Sequence, residues 1–175
     1  MSTPPPSAEN VWWWQTTTAV ETQALGSAIG KYLQPGMILA LYGTLGAGKT
    51  ALTKGIAAGL GITATVTSPT FVFVNEYATP AGLALIHMDS YRLGEAPNEA
   101  ALEAFTLGLD EILSRDDVIV VIEWAELVQA FLPADHLQIT LRYSEEAPNL
   151  REIIGFAHGP VSAACLAAIP HQFDV

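Results

Sequence analysis

Residues 37–50 read Met37-Ile38-Leu39-Ala40-Leu41-Tyr42-Gly43-Thr44-Leu45-Gly46-Ala47-Gly48-Lys49-Thr50, six apolar residues running into a glycine-rich octet. An apolar run of this length bounded by glycine has the pattern of a strand buried on both faces. The octet satisfies G-x-x-x-x-G-K-[ST] at every fixed position, the phosphate-binding P-loop pattern. Each fixed residue type has a task. The glycines permit positive φ and let main-chain N–H groups approach an anion closely, and the helix that follows directs its positive end at the same place. Lys49 supplies a point charge for β- and γ-phosphates, and the Thr50 hydroxyl is a magnesium ligand. The expected cradle runs from Gly43 through Leu45, Gly46, Ala47, Gly48, Lys49 and Thr50 to Ala51. Average residue usage yields the four fixed residues by chance in roughly one chain in a hundred of this length, and here they also stand between a strand and a helix.

Outward from this loop, Thr18 to Leu33 carries Leu25, Ala28, Ile29, Tyr32 and Leu33 at helical spacing, with Thr18 as a cap and Glu21 three residues on. A second helix is expected over Lys49 to Leu60, ended by Gly61. Phe71–Tyr77 and Leu83–Met88, joined by Thr79-Pro80-Ala81-Gly82, predict an antiparallel hairpin. Asn98–Leu113 reads as a helix, Val118–Ile122 as a buried strand of the parallel kind, and His136–Tyr143 with Arg151–Phe156 as a closing strand pair. The expected fold is α/β, a P-loop NTPase-like three-layer arrangement with a mixed (parallel plus antiparallel) sheet. Residues 1–14 are expected as a flexible lead-in, 15–160 as the P-loop domain and 161–175 as a C-terminal tail. Trp12, Trp13 and Trp14 cannot all face one way: they either pack an N-terminal strand on the domain or leave an indole for a partner.

The chain has 175 residues, half of them apolar, with 7 Lys+Arg against 18 Asp+Glu and a formal net charge of -11. That balance argues against autonomous nucleic-acid binding, which needs clustered cations to displace counterions, and disfavours attachment to a membrane surface. The single Cys165 has no disulfide partner and is expected to be a small buried hydrophobe. No secretion signal or bilayer-length apolar run is evident, so the expectation is a cytoplasmic protein.

Hydrolysis needs acids as well as a cradle. Asp89 and Glu123 each end an apolar strand, the edge at which ligands bind in α/β sheets. Either is able to hold magnesium or orient a water; each is also open to a cap or ion-pair role. Ser68-Pro69-Thr70 stands where switch hydroxyls meet metal and γ-phosphate, and is otherwise a turn. His87 and Tyr91 read as core or hydrogen-bonding residues.

In this order, Leu45-Gly46-Ala47-Gly48-Lys49-Thr50, Ser68-Pro69-Thr70-Phe71, His87-Met88-Asp89-Ser90-Tyr91-Arg92-Leu93 and Val121-Ile122-Glu123-Trp124 resemble the TsaE (YjeE) family of small P-loop ATPases from about Thr18 to His158. The resemblance implies Mg-ATP hydrolysis in support of the TsaB–TsaD pair, which modifies tRNA with threonylcarbamoyladenosine beside the anticodon; tRNA would be met only through that complex. It implies ATP and Mg2+ as cofactors, Lys49 and Thr50 as phosphate and magnesium residues, Glu123 and Asp89 as metal-side acids, and Thr70 as the switch hydroxyl. Arg151 resembles a late arginine that reaches the nucleotide, Thr18 to Thr22 an adenine-side wall, and Trp124 a residue that flanks the site or meets a partner. Thr44 departs from the family, which usually has an acid there. Two other readings stay open: a small-molecule kinase, against which stands the lack of clustered lid arginines after the P-loop helix, and an assembly factor that works by nucleotide binding alone.

Overall fold

The computed structural model describes residues 11–69, 73–95, 108–144 and 146–170. Seven strands form one sheet: β1 (Val11–Thr16), β2 (Ile38–Tyr42), β3 (Val74–Ala78), β4 (Ala84–Asp89), β5 (Val118–Glu123), β6 (Leu137–Ser144) and β7 (Ala147–Ala157), in the order β1-β7-β6-β2-β5-β4-β3. The four central strands β6, β2, β5 and β4 run parallel, while β7 pairs antiparallel with β6 and β1, and β3 with β4. The sheet is therefore mixed, as expected.

Period-two alternation splits the core into two layers. Leu39, Leu41, Leu85, Ile119 and Val121 face α1 (Ala19–Gly30) and α2 (Lys49–Gly59) together with the last helix, whereas Ile38, Ala40, Ile86, Met88, Val120 and Ile122 face Leu109 and the residues near it. Leu109 belongs to the helical residues 108–113, here α3; the rest of the helix expected over Asn98–Leu113 lies outside the described residues. So does Phe71, and β3 opens at Val74.

Thr18 caps α1 as expected, its side chain accepting from Glu21 N at 3.1 Å. The Glu21 carboxylate accepts from Thr17 N at 2.6 Å, one residue earlier than a capping box requires. Hydrogen bonds from Thr17 hold this carboxyl below its ordinary pKa. The helix stops at Gly30, so Tyr32 is exposed and does not belong to the apolar stripe. At the end of α2, Gly61 takes φ 79° and its N–H bonds Ala58 O, the left-handed turn that glycine accepts without a Cβ clash.

Two expected boundaries need correction. Val11–Trp14 were placed in the flexible lead-in, but they belong to β1, in register with Ile153–Phe156 of β7. Trp14 is buried and Trp12 stacks on it at 6.4 Å; indoles that bury this much surface hold the strand down. Most of the expected tail is helix α4 (Pro160–Ala168), whose Cys165 and Leu166 are buried. Its first amides are met by Asp135, which accepts from Val161 N at 2.8 Å and Ser162 N at 3.0 Å. No helix among the described residues is long and apolar enough to cross a membrane.

Helices α1 and α2 touch through glycines. A Cβ on Gly55 would run into the carbonyl of Gln23, with the carbonyl carbon at 2.8 Å, and one on Gly26 would stand 2.9 Å from Gly55 Cα. The close approach brings the start of α1 beside the P-loop helix. Alanine ordinarily favours a helix by about 1 kcal/mol over glycine; here backbone blocks the space. Gly55→Ala is expected to destabilise the fold by about 3 kcal/mol, read as a lower urea midpoint at unchanged slope. A midpoint at or above the parent's would show that the two helices can part.

Candidate active site

The P-loop joins β2 to α2 at the carboxyl edge of the sheet. Gly43, Gly46 and Gly48 have φ of 140°, 77° and 107°, a region that side chains resist. A Cβ on Gly43 would also strike Leu141 O. Gly46, Ala47, Gly48, Lys49, Thr50 and Ala51 line a cleft of about 370 Å3 whose opposite wall is Ser68, Asp89, Tyr91, Glu123 and Trp124. A neighbouring cleft of about 290 Å3 shares Gly46, Gly48 and Ala51 and adds Thr17, Thr18, Thr22, Asn149 and Arg151. The two volumes meet over the helix N-terminus, an anion-binding position.

Lys49 is nearly buried, its ammonium donating to the carbonyls of Gly43 and Thr44, the latter at 3.1 Å. It also lies 3.7 Å from the centroid of the Trp124 ring, within cation–π range. Burial lowers its pKa, and the carboxylates of Glu123, Glu126 and Asp89 act in the opposite sense. Trp124 has φ 59° and ψ 41°, left-handed backbone that costs a non-glycine residue roughly 1–2 kcal/mol. Such strain concentrates at functional sites. Tyr91 packs against the same indole with ring centroids 4.9 Å apart.

The carboxylates come from adjacent parallel strands, where Asp89 and Glu123 are register partners. Each is the last residue of its strand, inside the ladder and not beyond it. Glu123 Oε2 accepts from the Thr50 hydroxyl at 2.9 Å, and Oε1 lies 2.8 Å from His87 Nε2. Asp89 accepts from Ser68 Oγ at 2.8 Å through Oδ2 and from Tyr91 N at 2.9 Å through Oδ1. Both are buried.

Magnesium prefers hard oxygens and keeps several waters and phosphate oxygens among its ligands. The donor set fits that demand: a threonine hydroxyl, two carboxylates and a serine hydroxyl converge, and no cluster of three or more His, Cys, Asp or Glu among the described residues forms an all-protein cage. Thr50, Glu123 and Asp89 are the residues that could hold the ion.

Most of the sequence-predicted residues meet here. Thr18 and Arg151 line the second cleft, and Arg151 Nη2 donates to Gly46 O at 3.3 Å. Gly43 contributes a carbonyl to Lys49 instead of lining either cleft, while Leu45 lines the first cleft at its mouth, with its side chain largely exposed. Thr70 lies outside the described residues; among the described residues, Ser68 supplies a hydroxyl to Asp89. Three contributors were not foreseen as such. His87 stands on Glu123, a role legible in the His-x-Asp alternation that puts His87 and Asp89 on one face. Tyr143 donates to Leu45 O at 3.4 Å and lies 4.9 Å beneath the Arg151 guanidinium, while Asn149 lines the second cleft; neither carries a local sequence signal.

Known proteins match the sequence and the fold. The family profile described as "Threonylcarbamoyl adenosine biosynthesis protein TsaE" matches residues 16–153. The tRNA threonylcarbamoyladenosine biosynthesis protein TsaE of Bacillus subtilis is 44% identical over 122 residues, covering 70% of this chain and 72% of that protein. Its counterpart from Nostoc is 38% identical over 138 residues, 77% and 80% of the two chains. The crystal structure of Bacillus subtilis YdiB superposes with a TM-score of 0.73 at 36% identity, covering 91% of this chain and 93% of that one. With the profile spanning most of the residues from β1 to β7, and the fold shared with a solved structure, the chain belongs to the TsaE family of threonylcarbamoyladenosine biosynthesis proteins.

Proposed function

We propose that the chain binds ATP with magnesium and hydrolyses it, and that this activity supports threonylcarbamoyladenosine modification of tRNA by the TsaB–TsaD pair. One observation carries the reading: the Thr50 hydroxyl of the P-loop stands 2.9 Å from a carboxylate, Glu123, that ends the neighbouring strand. That contact joins the phosphate cradle to the acid side of the cleft. Lys49 and the amides at the start of α2 hold the β- and γ-phosphates, while Thr18 and Arg151 border the volume left for the nucleoside. Bound magnesium, held by Thr50 and Glu123, would neutralise phosphate charge. Asp89, fixed by Ser68 and the Tyr91 amide, orients the attacking water. Attack at the γ-phosphorus breaks its bond to the bridging oxygen and leaves ADP and inorganic phosphate.

The charge balance supports a protein partner over direct contact with tRNA. Net charge is -11 with seven basic residues spread along the chain, and Lys49 and Arg151 already face the loop. A cytoplasmic location goes with this reading. Asp89→Ala is expected to leave Mg-ATP affinity within about threefold of the parent and to lower turnover about a hundredfold, since it removes a group that acts on the reacting water. Calorimetry and phosphate release measure the two separately. Equal losses in both would assign Asp89 to nucleotide binding. Reconstituted tRNA threonylcarbamoylation, run with and without this chain, tests the pathway role. Modification that proceeds equally well without it would overturn that part, and transfer of the γ-phosphoryl group to an added small-molecule acceptor, in place of phosphate release, would favour a kinase.

A further inference from the structure

We propose that His87 is the positioning residue for Glu123: from inside the sheet its ring holds one carboxylate oxygen, so that the other faces Thr50 and the magnesium position. The inference rests on the magnesium-dependent hydrolysis proposed above. His87 lies on β4 two residues before Asp89, and its side chain is fully buried. The same alternation that aims Asp89 at the cleft aims the imidazole beneath its floor. There Nε2 meets Glu123 Oε1 at 2.8 Å while Oε2 takes the Thr50 hydroxyl at 2.9 Å.

A second hydroxyl near Oε1 does not replace the ring. Thr53 Oγ is 3.4 Å from Oε1, but it is 3.0 Å from Lys49 O, and a hydroxyl has a single hydrogen to donate. That hydrogen goes to the nearer acceptor, which leaves the ring as the donor on Oε1. A glutamate has three side-chain torsions, and a bond on each oxygen fixes its terminal carboxylate plane.

The other ring nitrogen sharpens the point. Nδ1 is buried and has no hydrogen-bond partner among the described residues, while Leu85, Ile119 and Val121 around this level of the sheet are apolar. Burying a polar atom without a partner is unfavourable, and an aliphatic side chain would avoid it. The Nε2 contact is what a histidine supplies at this position. Groups behind ligand carboxylates and imidazoles orient them in this way in metal sites, and their loss costs about tenfold to a hundredfold in affinity or activity.

The test compares the parent with His87→Gln, which places an amide N–H where Nε2 stands, and with His87→Leu, which offers no donor. Ring 15N spectra of the protein without nucleotide are expected to show hydrogen on Nε2 coupled to Glu123. His87→Leu is expected to lower kcat about tenfold to a hundredfold with KM for Mg-ATP within about threefold, and to raise the magnesium needed for half-maximal ATP binding about tenfold. His87→Gln recovers most of each loss. Parental kcat in His87→Leu, a His87→Gln variant as poor as His87→Leu, or a ring whose hydrogen sits on Nδ1 would overturn the proposal. Should His87→Leu not fold, His87→Asn takes its place, its amide lying at the Nδ1 position. A parent that binds no Mg-ATP would sink the hydrolysis reading alone, and the ring spectra would still decide whether His87 holds Glu123.

Discussion

Replacing Lys49 with alanine is expected to weaken Mg-ATP binding about a thousandfold, or about 4 kcal/mol, and to abolish support of tRNA modification. Among the described residues the ammonium is the one full positive charge lining the first cleft, fixed by the Gly43 and Thr44 carbonyls and by the Trp124 ring. It is nearly buried, so its interaction with phosphate is screened far less than a surface pair would be. Several charge-assisted hydrogen bonds disappear together in the variant, each worth more than a neutral one. Main-chain amides and the α2 dipole remain, which is why residual millimolar binding is the expected outcome. Calorimetry checks the affinity, and thermal unfolding of the same sample checks that the loop is still folded. A variant that binds within tenfold of the parent would remove the P-loop from the centre of the mechanism.

Glu123→Gln is expected to act on a different quantity: turnover falls about a thousandfold while Mg-ATP affinity changes by less than about tenfold. Glutamine keeps the shape of the side chain and an oxygen for the His87 N–H, so the buried bond at 2.8 Å has a neutral replacement. What goes is the negative charge facing Thr50. Preorganised charge at the point where a reaction needs it carries about a hundredfold to a thousandfold in rate, and magnesium placement through the Thr50 hydroxyl adds to the loss. Single-turnover phosphate release measures the step directly. If this variant hydrolyses no ATP yet supports full tRNA modification, nucleotide binding alone drives the partner and the assembly-factor reading replaces the ATPase one.

The contrast between the two variants reflects how the site is assembled. Lys49 and Thr50 are adjacent in sequence and arrive with the helix; Glu123 comes from 73 residues away. The cradle is local chemistry, and the acid side is a product of sheet order.

Local pattern accounts for what could be read without coordinates. The apolar run Met37–Tyr42, the glycine spacing and the Thr18 cap are short-range features with steric and hydrogen-bonding causes; β2 and α2 fall within one residue of the expected bounds, and α1 starts where expected but ends three residues early, at Gly30. Asp89 and Glu123 were legible because a carboxylate closing an aliphatic strand sits at the ligand edge. Long-range pairing decided the rest. Only the register of β4 on β5 sets Asp89 beside Glu123, and only the packing of β4 beneath the cleft brings His87 Nε2 to Glu123. The tryptophan triplet became β1 because β7, some 140 residues on, offers it a ladder, and residues 161–168 became α4 because β7 and β6 leave an apolar face for Cys165 and Leu166. Helical and strand periodicities are carried by neighbours along the chain; the partner across the sheet is chosen by burial and hydrogen bonding between segments far apart in sequence, which no local pattern encodes.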